Sequence, residues 1–323
     1  RFIMIMNNIL AKIKESSEIG ISCHSSPDGD SLGSALALLE GLKVLGKNAY
    51  IMSKEEVPYN LNFLPNSEII DGNTVNVLPS TDLVIILDCG DVKRINANIN
   101  INNREYTLVN MDHHLSNELY GDLNYVDTNS SAMAEIVYQI LNILGVSISK
   151  DIATCLYTSI ITDTGSFRYS STTSVTHSIA GDLINTGIDF SEIHRKAFDD
   201  KQFNRVKFIG KAIDNMELVS EKICVFQITN DDFLELNIEP SLNTSDIISI
   251  GLEIDSVEVA VLFKESTDHV KVSLRSKSIV DVRKIAEKFG GGGHTKASGL
   301  IMHNITLDEA KKIVVNEIEK ELI

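Results

Sequence analysis

The 323-residue sequence predicts an α/β protein with a doubly wound parallel-sheet domain, a helical linker and a smaller α/β domain. Three observations carry that prediction. Apolar runs in the first half are continuous rather than alternating, which suits strands buried on both faces of a parallel sheet. Helical patterns lie between and after those runs. The chain is also too long for one small core and of ordinary length for two domains. The expected boundaries are 1–185 for the first domain, 186–218 for the linker and 219–323 for the second.

The N-terminal run FIMIMNNILAKI is interrupted by Asn7, Asn8 and Lys12, so it reads as an amphipathic first helix rather than a targeting signal. IGISCH (Ile19 to His24) is the first predicted strand, followed by a helix from Ser31 to Leu45. NAYIMS, LVIILD and YTLVNMDHH are the next three strands, and SAMAEIVYQILNILG and DIATCLYTSIITDTG are helices. From Phe190 to Leu218, basic and apolar residues interleave with helical spacing, which predicts a connecting helix or helix pair. ICVFQIT, VEVAVLF and VKVSLRS are strands, the last two forming an antiparallel hairpin across KESTDH. VRKIAEKFG is a helix ending on glycine, and TLDEAKKIVVNEIEKEL is a terminal helix capped by Thr306 or Asp308.

Composition narrows the function classes. Lys and Arg total 29 against 45 Asp and Glu, a formal net charge of −16. Such a surface repels long duplex nucleic acid, whose affinity rests on cations that neutralise phosphates. A short phosphorylated ligand held by a few local cations or metals is compatible with it. Cys23, Cys89, Cys155 and Cys224 form no CxxC pair and read as reduced, buried thiols. With no stretch of membrane-spanning length, a cytoplasmic protein that does not engage a membrane is expected.

Chemistry-bearing residues recur where apolar runs end. His24, Asp28 and Asp30 follow the first strand as H-x-x-x-D-x-D, and ligands of open parallel sheets collect at strand carboxyl ends. The plain alternative is a polar turn with Asp30 or Ser31 capping the next helix. Asp88 ends LVIIL, where a lone buried carboxylate would be costly. Asp112, His113 and His114 end the fourth strand. Asp163 ends a helix, where an anion needs a compensating cation. The set His24, Asp28, Asp30, Asp88, His113 and Asp163 offers hard nitrogen and oxygen donors without thiolates, which suits manganese, magnesium or zinc. Its size exceeds the needs of one catalytic metal, so a bridged pair is the simpler reading.

The second domain carries GGGGHTKASG from Gly290, whose glycines let backbone N–H groups approach a phosphate closely, with His294 and Lys296 following. A flexible helix-capping loop is the plain alternative. Residues 271–288 hold six basic and two acidic side chains, a local +4, and Arg275 at a strand end suits bidentate phosphate binding.

Together H-S-S-P-D-G-D, L-D-C-G-D, D-H-H, T-D-T-G-S-F-R-Y and G-G-G-G-H-T-K-A-S-G resemble the DHH/DHHA1 phosphoesterase superfamily, in family order and over nearly the whole chain. Within it the chain is similar to bacterial members that join oligoribonuclease activity with adenosine 3′,5′-bisphosphate phosphatase activity. The resemblance implies a pair of divalent metals, manganese foremost, with short RNA or a small nucleotide as substrate. It implies His24, Asp28 and Asp88 on one metal, and Asp30, Asp88, His113 and Asp163 on the other, with Asp88 bridging. It implies that Asp112 orients His113, and that His114 contacts the scissile phosphate and helps protonate the leaving oxygen. Arg94, Arg275, Gly291, Gly292, Gly293 and His294 are the implied substrate contacts. Rival readings are a phosphodiesterase for cyclic dinucleotides or their linear products, an inorganic pyrophosphatase, and a non-catalytic nucleotide or single-stranded RNA module. The absence of tryptophan and the 6% aromatic content count against the last. The apolar helix 132–144 suits either the core or a homodimer interface.

Overall fold

In the computed structural model, which describes residues 2–239 and 243–322, the apolar runs of the first half form one parallel sheet. The chain divides by contacts into Arg1–Asp200 (unit 1) and Lys201–Ile323 (unit 2).

Unit 1 begins with α1 (Phe2–Glu15), β1 (Glu18–Ser22), α2 (Gly29–Val44) and β2 (Asn48–Ile51). Then come β3 (Leu83–Leu87), β4 (Thr107–Asp112), β5 (Leu123–Val126), α3 (Met133–Ile143), α4 (Lys150–Asp163), α5 (Ser174–Asn185) and α6 (Phe190–His194). A π-helical turn, Arg195–Asp199, closes the unit. The sheet order is β2-β1-β3-β4-β5 with every pairing parallel. The β3 run is continuous because both of its faces are buried. Leu83, Ile85 and Leu87 join the core of α1 to α4, while Val84 and Ile86 pack with Met52, Cys89, Ile95 and Leu108 under the long connections. No apolar run announces β5; it is an edge strand in which only Tyr125 is buried. Met133, Ile136, Val137, Ile140 and Leu141 of α3 lie in the unit's own core.

One helix contact aligns the site. A Cβ on Gly33 would lie 2.4 Å from the Cys155 carbonyl oxygen, so α2 and α4 approach more closely than any larger residue permits. That approach sets Asp30, in the first turn of α2, beside Ser159 of α4, which donates to its Oδ1.

Unit 2 comprises α7 (Phe203–Asp214), β6 (Glu217–Ser220), β7 (Ile223–Ile228), α8 (Asn230–Glu235), α9 (Ser245–Glu253) and β8 (Val259–Glu265). It continues with β9 (His269–Ser276), α10 (Val282–Glu287), β10 (Gly292–His294), β11 (Ala297–His303) and α11 (Leu307–Glu321). The sheet order is β10-β11-β9-β8-β7-β6. The expected hairpin is present, with Val259 opposite Ser276 and Glu265 opposite Val270. Val261, Phe263, Val272 and Leu274 pack toward α10 and α11, and Cys224, Phe226, Ala260 and Leu262 toward α7 to α9. Leu218, read as helical, lies instead in β6: this exposed edge strand is held by backbone pairing with β7 and needs no apolar pattern. The short α8 and α9 also escaped the sequence reading.

All four cysteines are buried and free. Among the described residues no helix is long and apolar enough to cross a membrane.

Candidate metal centre and anion pocket

The ends of β1, β3, β4 and α4 deliver the acids and imidazoles of unit 1 to one place. Asp28 is the N-cap of α2, accepting from Ser31 N at 3.0 Å through Oδ1, which leaves Oδ2 3.5 Å from His24 Nε2. The capping role weighed against a metal role is therefore filled by Asp28 itself, with one oxygen to spare. Asp30 accepts Met133 N at 3.0 Å and is buried, with Oδ2 3.2 Å from His113 Nε2. Asp88 directly follows β3 at φ 54, a left-handed conformation costing a non-glycine residue about 1–2 kcal/mol. Its Oδ2 lies 3.4 Å from His24 Nε2 and its Oδ1 3.4 Å from His113 Nε2. Asp163, the last residue of α4, places Oδ2 3.6 Å from His113 Nε2.

The imidazoles are oriented from behind. His24 Nδ1 lies 2.8 Å from the Ser25 carbonyl and His113 Nδ1 3.2 Å from the Ser130 carbonyl. A carbonyl only accepts, so each Nδ1 donates and each neutral ring turns its Nε2 lone pair toward carboxylates. His113 Nε2 and Asp88 Oδ1 are buried without a hydrogen-bond partner among the described residues. Acceptors facing acceptors in a buried site require a cation between them. The donor atoms have the matching spacing: those of His24, Asp28 and Asp88 lie within 4.8 Å of one another, as do those of Asp30, His113 and Asp163. These residues fit divalent metal.

With protons as the available cations, the shifts record the same demand. Burial opposes charge on His24, but Asp28 and Asp88 outweigh it and the ring is pushed up to about 10. Burial likewise opposes charge on His113, and Asp30 and Asp88 push it up to about 12. Burial, then the neighbouring Asp30, raises Asp163 to about 7. Burial raises Asp28 too, but the His24 hydrogen bond dominates with Ser31 and brings it to about 2.

Asp112 does something other than expected. Its Oδ1 accepts His113 N at 2.7 Å and His114 Nδ1 at 2.7 Å, while Oδ2 accepts Asn117 Nδ2 at 2.7 Å. It therefore orients the ring of His114, and the ring of His113 is oriented by Ser130. The Asp112 hydrogen bond raises the His114 imidazole above its ordinary value. Arg94 borders the centre, its Nη2 donating to the Ser25 carbonyl at 3.4 Å. Glu55 holds the loop between His24 and Asp28 by accepting Ser26 N at 2.8 Å, where Ser26 has φ 55.

In unit 2 a cavity of about 550 Å³ opens on the sheet face, lined by Arg275, Gly292, Gly293 and His294 with Ser245, Lys264, Lys271 and Ser273. Gly291 does not line it: a Cβ there would lie 2.3 Å from the Gly299 oxygen, so this glycine permits close chain packing. Gly293, at φ 140, combines lining with a conformation open only to glycine. The described lining holds no carboxylate. Lys264 and Lys271 stand directly opposite on β8 and β9, and both line the cavity. Burial, then Lys271, lowers the Lys264 ammonium, and burial lowers the Arg275 guanidinium. The pocket suits a phosphate-bearing ligand. Neither lysine stood out in the sequence as part of a pair, because strand register alone brings them together.

Known proteins share this layout. Residues 18–160 match the DHH family, N-terminal domain, and residues 237–322 match the DHHA1 domain. The bifunctional oligoribonuclease and PAP phosphatase NrnA of Thermus thermophilus is 31% identical, the match covering 94% of this chain and 90% of that protein. The protein of the same name from Bacillus subtilis is 30% identical, with 91% of each covered. The crystal structure of an exopolyphosphatase-related protein from Bacteroides fragilis superposes with a TM-score of 0.88 at 26% identity, covering 98% of this chain and 96% of that one. The chain belongs to the DHH phosphoesterase family, in the form that joins a DHH domain to a DHHA1 domain.

Proposed function

We propose that the chain is a cytoplasmic two-metal phosphoesterase, served by manganese. It hydrolyses very short oligoribonucleotides to mononucleotides and removes the 3′-phosphate of adenosine 3′,5′-bisphosphate. The observation that carries this reading is Asp88, whose two oxygens each face a different imidazole that is itself grouped with further carboxylates. His24, Asp28 and Asp88 hold one cation, and Asp30, Asp88, His113 and Asp163 the other. When bound, the pair polarises the phosphoryl group and supplies a nucleophile from water at neutral pH.

The remaining work falls to the chain. Asp112 fixes the His114 tautomer by accepting from Nδ1, and its charge keeps a proton on the ring for the leaving oxygen. Arg94 contacts substrate beside the His24 loop. Unit 1 serves as the catalytic domain, and unit 2, which includes α7 and β6, as the substrate domain. There Arg275, the Gly292–Gly293 backbone and His294 hold the distal nucleotide, while Lys264 and Lys271 bind its terminal phosphate. Two adjacent ammonium groups match a dianionic monoester better than a diester, which carries one charge. A 5′-phosphate handle is common to 5′-phosphorylated short RNA and to the bisphosphate, so one pocket serves both substrates.

The test is turnover with manganese on a 5′-phosphorylated ribo-dinucleotide, adenosine 3′,5′-bisphosphate, linear and cyclic di-adenylate, and pyrophosphate in parallel. Release of mononucleotide from the dinucleotide and of phosphate from the bisphosphate is expected, with pyrophosphate intact. Hydrolysis of pyrophosphate alone would overturn the reading, and preference for the cyclic substrate would move it to a cyclic-dinucleotide phosphodiesterase.

A further inference from the structure

A second cluster with metal-ligand chemistry lies in unit 2. His269 opens β9 and His303 closes β11, and the antiparallel register sets them directly opposite. Their ring centroids are 5.7 Å apart. Asp268, just before β9, places Oδ1 2.7 Å from His269 Nδ1. One donor atom from each of the three residues lies within 4.8 Å of the other two.

The backbone fixes this cluster. Ser266 N donates to the His269 carbonyl at 2.9 Å, closing the β8–β9 hairpin, and Asn304 N reaches the Asp268 carbonyl at 3.4 Å. The donors therefore stand on the end of two paired strands. His269, Lys271, Ser273 and Arg275 share one face of β9 by strand alternation. The anion pocket takes the last three and stops short of the histidines, so its function does not account for them.

The donor set differs from that of unit 1. Two imidazoles and one carboxylate are borderline ligands, favouring zinc, copper or nickel over the manganese and magnesium that suit a carboxylate-rich centre. Three donors leave a coordination position open, as in exchangeable rather than closed sites. Opposed imidazoles that would repel when protonated become a cross-link when a divalent ion lies between them. We propose that Asp268, His269 and His303 form an exchangeable site for such a cation, zinc foremost, which ties β9 to β11.

The test is equilibrium dialysis of the full chain against zinc, comparing the native sequence with His303→Ala, His269→Ala and Asp268→Asn. Each of the three variants, having lost one of the three donors, should bind one zinc equivalent fewer at a concentration that saturates the native site. Manganese-supported turnover should be unchanged in all three. Zinc stoichiometry equal in the native chain and His303→Ala would overturn the proposal. So would an equivalent lost together with turnover, because the ion would then belong to the catalytic centre. Melting temperatures show whether each variant is folded, and His303, exposed at its strand end, provides the decisive variant should His269→Ala unfold.

Discussion

The centre in unit 1 and the pocket in unit 2 pose opposite electrostatic problems. In unit 1, Asp30, Asp88 and His24 are buried, and short side chains are fixed by Met133 N, Ser159 and the Ser25 and Ser130 carbonyls. In unit 2, Lys264, Lys271 and Arg275 stand on the cavity face of two central strands, on long flexible stems. A buried array of acceptors is satisfied only by a cation in a narrow geometry. An open set of cations accepts an anion in many. On the proposed reading, the difference assigns the chemistry to unit 1 and the holding of substrate to unit 2. Substitutions in the first should lower turnover, and those in the second should raise KM.

The largest effect falls on Asp88. Asn tolerates its left-handed φ and keeps its shape, so Asp88→Asn removes charge with little strain. Loss of a shared metal ligand forfeits several kcal/mol of charge stabilisation, so turnover should fall at least about a thousandfold. Single-turnover kinetics at saturating manganese measures this, with circular dichroism confirming the fold. Near-native turnover would end the contrast between the two regions.

Asp112→Asn comes next. The Asp112 hydrogen bond raises His114, so losing it lowers that ring's pKa. If protonated His114 serves the leaving oxygen, the alkaline limb of the pH–rate profile moves to lower pH, and kcat drops about ten- to a hundredfold. An unmoved limb would assign Asp112 to backbone support of the β4 end alone.

Lys271→Gln sharpens the other side of the comparison. Removing one charge-assisted contact worth about 1.5–3 kcal/mol should raise KM for adenosine 3′,5′-bisphosphate roughly tenfold or more, with kcat nearly unchanged. A dinucleotide lacking the 5′-phosphate should be almost indifferent. Equal losses on both ligands would reassign the lysine pair to general attraction.

The same contrast explains what the sequence could reveal. The candidate ligands of unit 1 were legible because they end or closely follow apolar runs, and Asp163 because a helix carboxyl end disfavours an anion. The carbonyls of Ser25 and Ser130 that aim His24 and His113 were not, since every residue owns a carbonyl and only the fold aims it. The exchange of ring partners, Asp112 to His114 rather than His113, depends on the turn after β4. In unit 2, Lys264 opposite Lys271 and His269 opposite His303 are products of register, which turn lengths set only after strands pair. Edge strand β6 has no buried residue, and β5 buries only Tyr125, so neither carries a long enough pattern to read.

The smallest effect is a pH trend in stability that should belong to unit 1 and depend on metal. His24 moves from an ordinary 6.5 to about 10 in the folded chain and His113 to about 12. A raised folded value stabilises fully below the ordinary one, and that contribution is lost as pH rises toward the folded value. Asp163, raised from 3.8 to about 7, has the same sign: its contribution is complete in acid and gone above neutrality. Asp28, lowered to about 2, acts only in strong acid. In chelator, the melting temperature should therefore fall by a few degrees between about pH 6 and pH 9. With manganese the trend should be offset, because ligands that must shed protons bind more tightly as pH rises. The gap between metal-loaded and chelated melting temperatures should widen with pH and vanish in Asp88→Asn, whereas Lys271→Gln should keep it. A chelated protein that grows more stable toward pH 9 would mean that the imidazoles, not the carboxylates, set the electrostatics of the empty centre.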